Sequence, residues 1–265
     1  MIPGKKLLAK YSVAAVAVLA LAVSLTSCKK TPEVTTKIRV LFIGNSLTYM
    51  NDLPSVLAGL AKSRAIDVEY DMYAPGGYKL SQHASDPQAL EKINKGDWDF
   101  VILQEQGQMP AFSQQQEETE VYPYARKLCQ MARDANPRAQ VAFYMTMARR
   151  NGDQQNAAAF PELATYEGMQ RRINFGYTQM AEQNQALLIP VGVAWQKVRS
   201  QRPDLDIYGD DLHPNITGTY LAACVFYGAL FKDNPVGLPY PKQIDGDTAG
   251  YLQKLAQETI SAKQE

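Results

Sequence analysis

The chain is poor in the side chains that hold metals: three cysteines and two histidines stand among 265 residues. No C-x-x-C pair and no H-E-x-x-H run occurs, so a zinc site has too few ligands, and neither a metal nor a cofactor is expected. An excess of one charge is lacking as well. Lysine plus arginine total 27 and aspartate plus glutamate total 27. That balance offers no basic stripe for a phosphate backbone, so nucleic acid is not an expected partner. Cys129 and Cys224 each lie among apolar neighbours in stretches of helical character and are expected to be buried free thiols, with a disulfide in an oxidising compartment as the alternative.

What is present begins with an apolar run, "SVAAVAVLALAVSL" at 12–25, preceded by Lys5, Lys6 and Lys10 and closed by Thr26, Ser27 and Cys28. The run falls short of the roughly 20 residues that a spanning helix needs and has the order of a secretory leader. "LTSC" resembles the box cut by the bacterial lipoprotein signal peptidase, with Cys28 as the lipidated residue. The resemblance implies a leader at 1–27, a tether at 28–37 and a folded domain at 38–265. The tether contains the polar, proline-bearing "KKTPEVTTK". It also implies attachment to the bacterial cell envelope, at the outer membrane, with the membrane as partner through the lipid alone. Removal of three lysines and no acid leaves the remainder mildly acidic.

Beyond the tether, five short runs rich in branched and aromatic residues recur: "IRVLFI" (38–43), "VEYDMY" (68–73), "DFVILQ" (99–104), "QVAFYM" (140–145) and "ALLIPV" (186–191). Several are almost continuously apolar, as strands covered on both faces are. Between them lie "LPSVLAGLAKSR", "SQHASDPQALEKINKG", "ETEVYPYARKLCQMARDANP" and "TYEGMQRRINFGYTQMAEQN", with apolar positions three or four apart. Two further helices, "ITGTYLAACVFYGALF" and "DTAGYLQKLAQETISAK", close the chain. The alternation predicts a five-stranded parallel sheet with helices on both faces, joined by right-handed crossovers. Ligands of such sheets bind beyond the carboxyl ends of the strands. The loops at that edge are "GNSLT", "APGGYKL" and "QEQGQMP".

Ser46 directly follows the first strand, with Gly44 allowing a tight turn. A serine nucleophile needs a base, and only His83 and His213 can titrate near neutrality without unusual burial. His213 lies in "YGDDLHPNITG", three residues after Asp210 and just before a long apolar helix. A loop entering a helix this way can set a carboxylate beside an imidazole, pinning one ring nitrogen and turning the other outward.

Together these residues resemble the SGNH, or GDSL-type, hydrolases: "GNSLT" is similar to their first block and "DDLHPN" to their last, aspartate, two residues, histidine. The resemblance implies a three-layer α/β/α sandwich of flavodoxin-like type. It also implies Ser46 as nucleophile, His213 as base and Asp210 as its partner. In that family a glycine amide after the second strand and an asparagine side chain after the third complete an oxyanion hole with the amide of the serine. Gly77 matches the glycine, with Gly76 as alternative. The third block departs from the pattern: it reads Gln104, Glu105, Gln106, Gly107, and counting from the strand end puts Gln106 at the asparagine position, with Gln104 as alternative. Asn45 replaces the usual aspartate.

Four residues are candidates for substrate contact: Asn45, Gln104, His83 on the pocket rim, and Trp195 as an aromatic wall. Arg149 and Arg150 follow the fourth strand near the same edge and could meet an anionic or hydroxylated group. The expectation is a serine esterase acting on O-acetylated carbohydrate. The alternatives are a surface glycan-binding lipoprotein without turnover and an acyltransferase on the same fold.

Overall fold

The computed structural model describes residues 36–262. The expected leader at 1–27, the expected lipidation site Cys28 and most of the expected tether lie outside the described residues. Strand β1 (Thr36–Ile43) begins inside the expected tether, so Thr36 and Lys37 belong to the sheet.

The chain runs β1, α1 (Ser46–Tyr49), α2 (Leu53–Lys62), β2 (Ile66–Tyr73), α3 (Leu80–His83), α4 (Pro87–Asn94), β3 (Phe100–Leu103), α5 (Gln114–Glu120), α6 (Tyr122–Ala135), β4 (Gln140–Tyr144), α7 (Tyr166–Gln183), β5 (Leu187–Ile189), α8 (Val191–Gln201), α9 (Ile216–Phe231) and α10 (Gly246–Ser261). The five strands form one parallel sheet in the order β2-β1-β3-β4-β5. From β1 the chain steps one way to β2 and then back past itself to β3. Right-handed crossovers on either side of that reversal place helices on opposite faces. Accordingly α2, α8, α9 and α10 pack among themselves, while α3, α4, α6 and α7 form the other layer. The five strand assignments hold within two residues at each end. Helix α8 was not expected: residues 186–191 read as strand through Val191, whereas β5 stops at Ile189 and Val191 already opens the helix.

Burial explains the strand sequences. β3 is buried throughout and β1 over its second half, because both are covered from two sides, and each fully buried Val, Leu, Ile or Phe contributes about 1.5–3 kcal/mol. Helix α9 is buried from Gly218 to Leu230, which accounts for a segment apolar all the way round. Cys129 and Cys224 are free and buried, and burial pushes both thiols up to about 12.

The register sets the site. Ile43 pairs with Tyr73 on one side and with Leu103 on the other. The Gly44 amide donates to the Tyr73 carbonyl and the Gln104 amide to the Ile43 carbonyl. The loops after β1, β2 and β3 therefore leave the sheet at one level, at the point where strand order reverses.

Candidate active site

Gly44 leaves β1 where a Cβ would lie 2.5 Å from Thr48 Oγ1 and 2.6 Å from Gln104 Oε1, so only glycine lets those side chains close over the turn. Asn45 then caps α1, its Oδ1 accepting from the Leu47 amide at 3.1 Å. Its own amide donates to Gln104 Oε1 at 2.9 Å, and its Nδ2 donates to the Tyr78 carbonyl at 2.9 Å. A carboxylate could cap the helix but could not donate to a carbonyl. That is the physical reason for an amide where the resembled family has aspartate. Ser46 follows as the first helical residue, where the helix itself does not use the backbone N–H.

The other half of the site is a small closed loop. Tyr208 and Pro214 form an antiparallel bridge, and the Gly209 amide donates to the His213 carbonyl at 2.8 Å. Inside it, Asp210 Oδ1 accepts from the amides of Leu212 at 2.7 Å and His213 at 2.6 Å. Its Oδ2 lies 2.8 Å from His213 Nδ1, and His213 Nε2 lies 2.9 Å from Ser46 Oγ. Partial burial works to raise the Asp210 carboxyl, but the bonds from the His213 amide and ring and the Leu212 amide prevail and hold it at about 2. Asn215 then caps α9, accepting from the Gly218 amide at 3.0 Å. The structure thus brings Ser46, His213 and Asp210 into one hydrogen-bonded line across 167 residues.

The second loop turns at Pro75, whose carbonyl accepts from the Tyr78 amide at 3.2 Å. Gly77 has φ +72 there, a left-handed conformation natural to glycine, and both Gly76 and Gly77 are exposed. In the third loop Gln104 and Gln106 diverge. Gln104 is fully buried, its Oε1 shared by the Asn45 amide and the Thr48 hydroxyl at 2.8 Å, its Nε2 donating to the Glu105 carbonyl. Gln106 is only partly buried. Gly107, beside it, faces Leu47 and Leu212, the neighbours of Ser46 and His213. The third loop therefore runs, at Gly107, between the two halves of the site.

Glu105, to which the resemblance assigns no role, bridges two of these loops. The residue is fully buried; its Oε1 accepts from the Gln106 amide at 2.6 Å and the Leu80 amide at 3.1 Å, joining the third loop to the second, while Oε2 has no partner among the described residues. Burial pushes its carboxyl up to about 8, against the pull of those two amides and of Lys79. No motif marks Glu105; the signal was a charged residue at the end of a buried strand.

Several expected contacts with substrate are corrected by burial. Asn45 and Gln104 are internal braces with their polar atoms engaged as above. His83 is fully buried rather than on a rim: its Nε2 lies 2.8 Å from the Gly44 carbonyl, and its ring packs on Tyr73 and Tyr78. Burial keeps it below the usual histidine range, against the opposing Gly44 carbonyl and Asp86. Trp195 is fully buried in α8 against Tyr208 and fills the space that makes position 218 glycine, so it walls no pocket. Arg150 is committed to the base loop, pairing with Asp206 at 3.0 Å and donating to the Tyr208 carbonyl at 3.2 Å. Arg149 instead donates to Gln108 Oε1 at 3.1 Å.

Among solved structures, the chain is similar to a DUF4886 family protein from Bacteroides uniformis, with a TM-score of 0.73 and 19% identity over 86% of this chain and 96% of that one. It is similar to a proposed SGNH hydrolase from Slackia heliotrinireducens, with a TM-score of 0.60 and 28% identity over 74% of this chain and 100% of the other. It also shares its fold with Axe2, an acetylxylan esterase from Geobacillus stearothermophilus, with a TM-score of 0.52 and 16% identity over 73% and 94% of the two chains. No protein-family model and no curated protein matches the sequence. The fold is therefore the α/β fold of SGNH hydrolases, as the first and last sequence blocks implied.

Proposed function

We propose that the protein is a serine ester hydrolase of SGNH type that removes acyl groups, foremost acetyl, from O-acylated carbohydrate. The observation that carries this reading is the line from Ser46 Oγ to His213 Nε2 at 2.9 Å and from His213 Nδ1 to Asp210 at 2.8 Å. In this scheme Ser46 Oγ attacks the ester carbonyl as its proton passes to His213 Nε2. Asp210, held ionised, keeps Nδ1 protonated and stabilises the imidazolium. Charge developing on the carbonyl oxygen meets the amides of Ser46 and Gly77 and the side chain of Gln106. Collapse expels the alcohol with the proton from His213, and water then releases the acyl group by the same steps.

The likeness to a proposed SGNH hydrolase at 28% identity supports a hydrolase. The acetyl-carbohydrate substrate and the lipid anchor at Cys28, holding the protein to the outer membrane, belong to the proposal. A fluorophosphonate probe tests the nucleophile: labelling of wild type that vanishes in Ser46→Ala is expected. Absence of labelling in wild type would favour a glycan-binding protein without turnover. Assays on short acyl esters beside a panel of acetylated glycans read the substrate, competing alcohols separate hydrolysis from acyl transfer, and mass spectrometry of the mature N-terminus reads the lipid.

A further inference from the structure

We infer that Gln108 and Arg149 are positioning residues that fix the amide of Gln106 with one N–H directed at the reacting carbonyl; the inference rests on the proposed hydrolase reading. A glutamine has one more rotatable bond than the asparagine of the resembled family, and its terminal torsion is broad, so its amide would by itself sample either face. Three hydrogen bonds remove that freedom. Gln106 Nε2 donates to Gln108 Oε1 at 2.9 Å, the Gln108 amide donates to Gln106 Oε1 at 3.3 Å, and Arg149 Nη2 donates to Gln108 Oε1 at 3.1 Å.

The sense of the chain follows from its last member. A guanidinium has donors only, so whatever side-chain atom of Gln108 it meets must be the oxygen. That oxygen in turn requires the nitrogen of Gln106, and the Gln106 oxygen is left facing the Gln108 amide. One hydrogen of Gln106 Nε2 is then used within the loop, and the second is left to donate elsewhere, in a loop whose next residue, Gly107, packs against Leu47 and Leu212, the neighbours of Ser46 and His213. Arg150, the neighbouring guanidinium, pairs with Asp206. Arg149 instead spends Nη2 on a neutral amide oxygen, and its buried Nε makes no hydrogen bond among the described residues. Its place between the loops after β3 and β4 serves this relay.

The test uses the whole folded domain, a neutral ester such as p-nitrophenyl acetate, and the variants Arg149→Met, Arg149→Lys, Gln106→Ala and the Gln106→Ala/Arg149→Met double. Removing an oxyanion donor costs about 10²- to 10³-fold in rate, so loosening one should cost Arg149→Met on the order of tenfold in kcat with KM little changed. Lysine, also a pure donor, should restore part of the loss, and Arg149→Met should add nothing once Gln106 is alanine. An undiminished loss in the Gln106→Ala background, or a loss confined to KM for anionic esters, would overturn the relay. A second readout does not need turnover: the side-chain amide resonances of Gln106, assigned by their disappearance in Gln106→Ala, should shift and broaden in Arg149→Met. Unchanged resonances would overturn the relay even if the wild type hydrolysed nothing, whereas an inactive wild type with shifted resonances would count against the hydrolase reading alone.

Discussion

Asn51 donates from Nδ2 to the Pro214 carbonyl and to Thr219 Oγ1, each at 2.9 Å, and so ties the segment behind Ser46 to the segment behind His213. Asn51 and Asp52 do this in consecutive left-handed conformations, φ 51 and 52. Asn51→Ala should lose both bonds and leave alanine in that backbone region. Stability should fall by about 1–3 kcal/mol by urea denaturation. Turnover should fall by on the order of 10- to 100-fold, as slight misplacement of reacting groups allows. Asn51→Gly relieves the backbone without restoring the tie, so its kcat should stay low while most of its stability returns. Recovery of kcat in the glycine variant would mean that strain, not the tie, mattered.

The Asp210 carboxyl, held at about 2, stays ionised across any working pH. Its contribution to stability is present above the unfolded value of 3.8 and is lost as pH falls toward 2. The acid limb of a kcat/KM profile above pH 4 should therefore survive in Asp210→Asn, while kcat drops by on the order of 10³- to 10⁴-fold, as loss of the group that orients the imidazole entails. Disappearance of that limb in the variant would assign it to Asp210 instead.

Glu105 has the opposite sign. With its folded value raised to about 8 from 4.5, its contribution is fully present below 4.5 and is lost as pH rises through 8, because the unfolded chain releases the proton first. Glutamine can accept from the Leu80 and Gln106 amides as the neutral acid does. Melting temperatures of Glu105→Gln should decline less than those of wild type between pH 4.5 and 8; parallel curves would show that Glu105 is not the group responsible.

The two glutamines of the third loop should separate cleanly. Gln106→Ala is expected to lower kcat by about 10²- to 10³-fold with KM and melting temperature nearly unchanged. Gln104→Ala removes a buried acceptor shared by the Asn45 amide and the Thr48 hydroxyl. It should cost stability first, about 1–3 kcal/mol for groups left unsatisfied. The reverse pattern would exchange their roles.

Gly44→Ala should destabilise by about 1–3 kcal/mol, the cost of forcing a methyl group into a packed turn. The added carbon would meet Thr48 Oγ1 and Gln104 Oε1 well inside contact distance. Thr48→Ser in the same chain keeps the hydroxyl and cannot relieve this clash, whereas Thr48→Ala should recover part of it.

The parallel sheet was legible because strands covered on two faces are written as short apolar runs, and amphipathic helices separate them. Helix α8 was not, since "PVGVAW" continues the apolar run of β5 and only Pro190 separates the two. Ser46, Asp210 and His213 could be named from two short blocks, because a nucleophile after the first strand and an Asp-x-x-His loop before the last helices are local patterns. His83 and Trp195 looked equally available. Their burial depends on helices α3 and α8 packing inward, which no residue near them announces.

By itself the sequence determined the strand and helix alternation, the Asn45 cap of the turn after the first strand, and the Asp210–His213 loop, all of them set by contacts within a few residues. The tertiary structure alone decided which polar residues face the crevice. It committed Asn45, His83, Gln104 and Glu105 to the interior and left Gln106 partly exposed in the third loop, because side-chain burial depends on strand register and helix packing between segments remote in the chain.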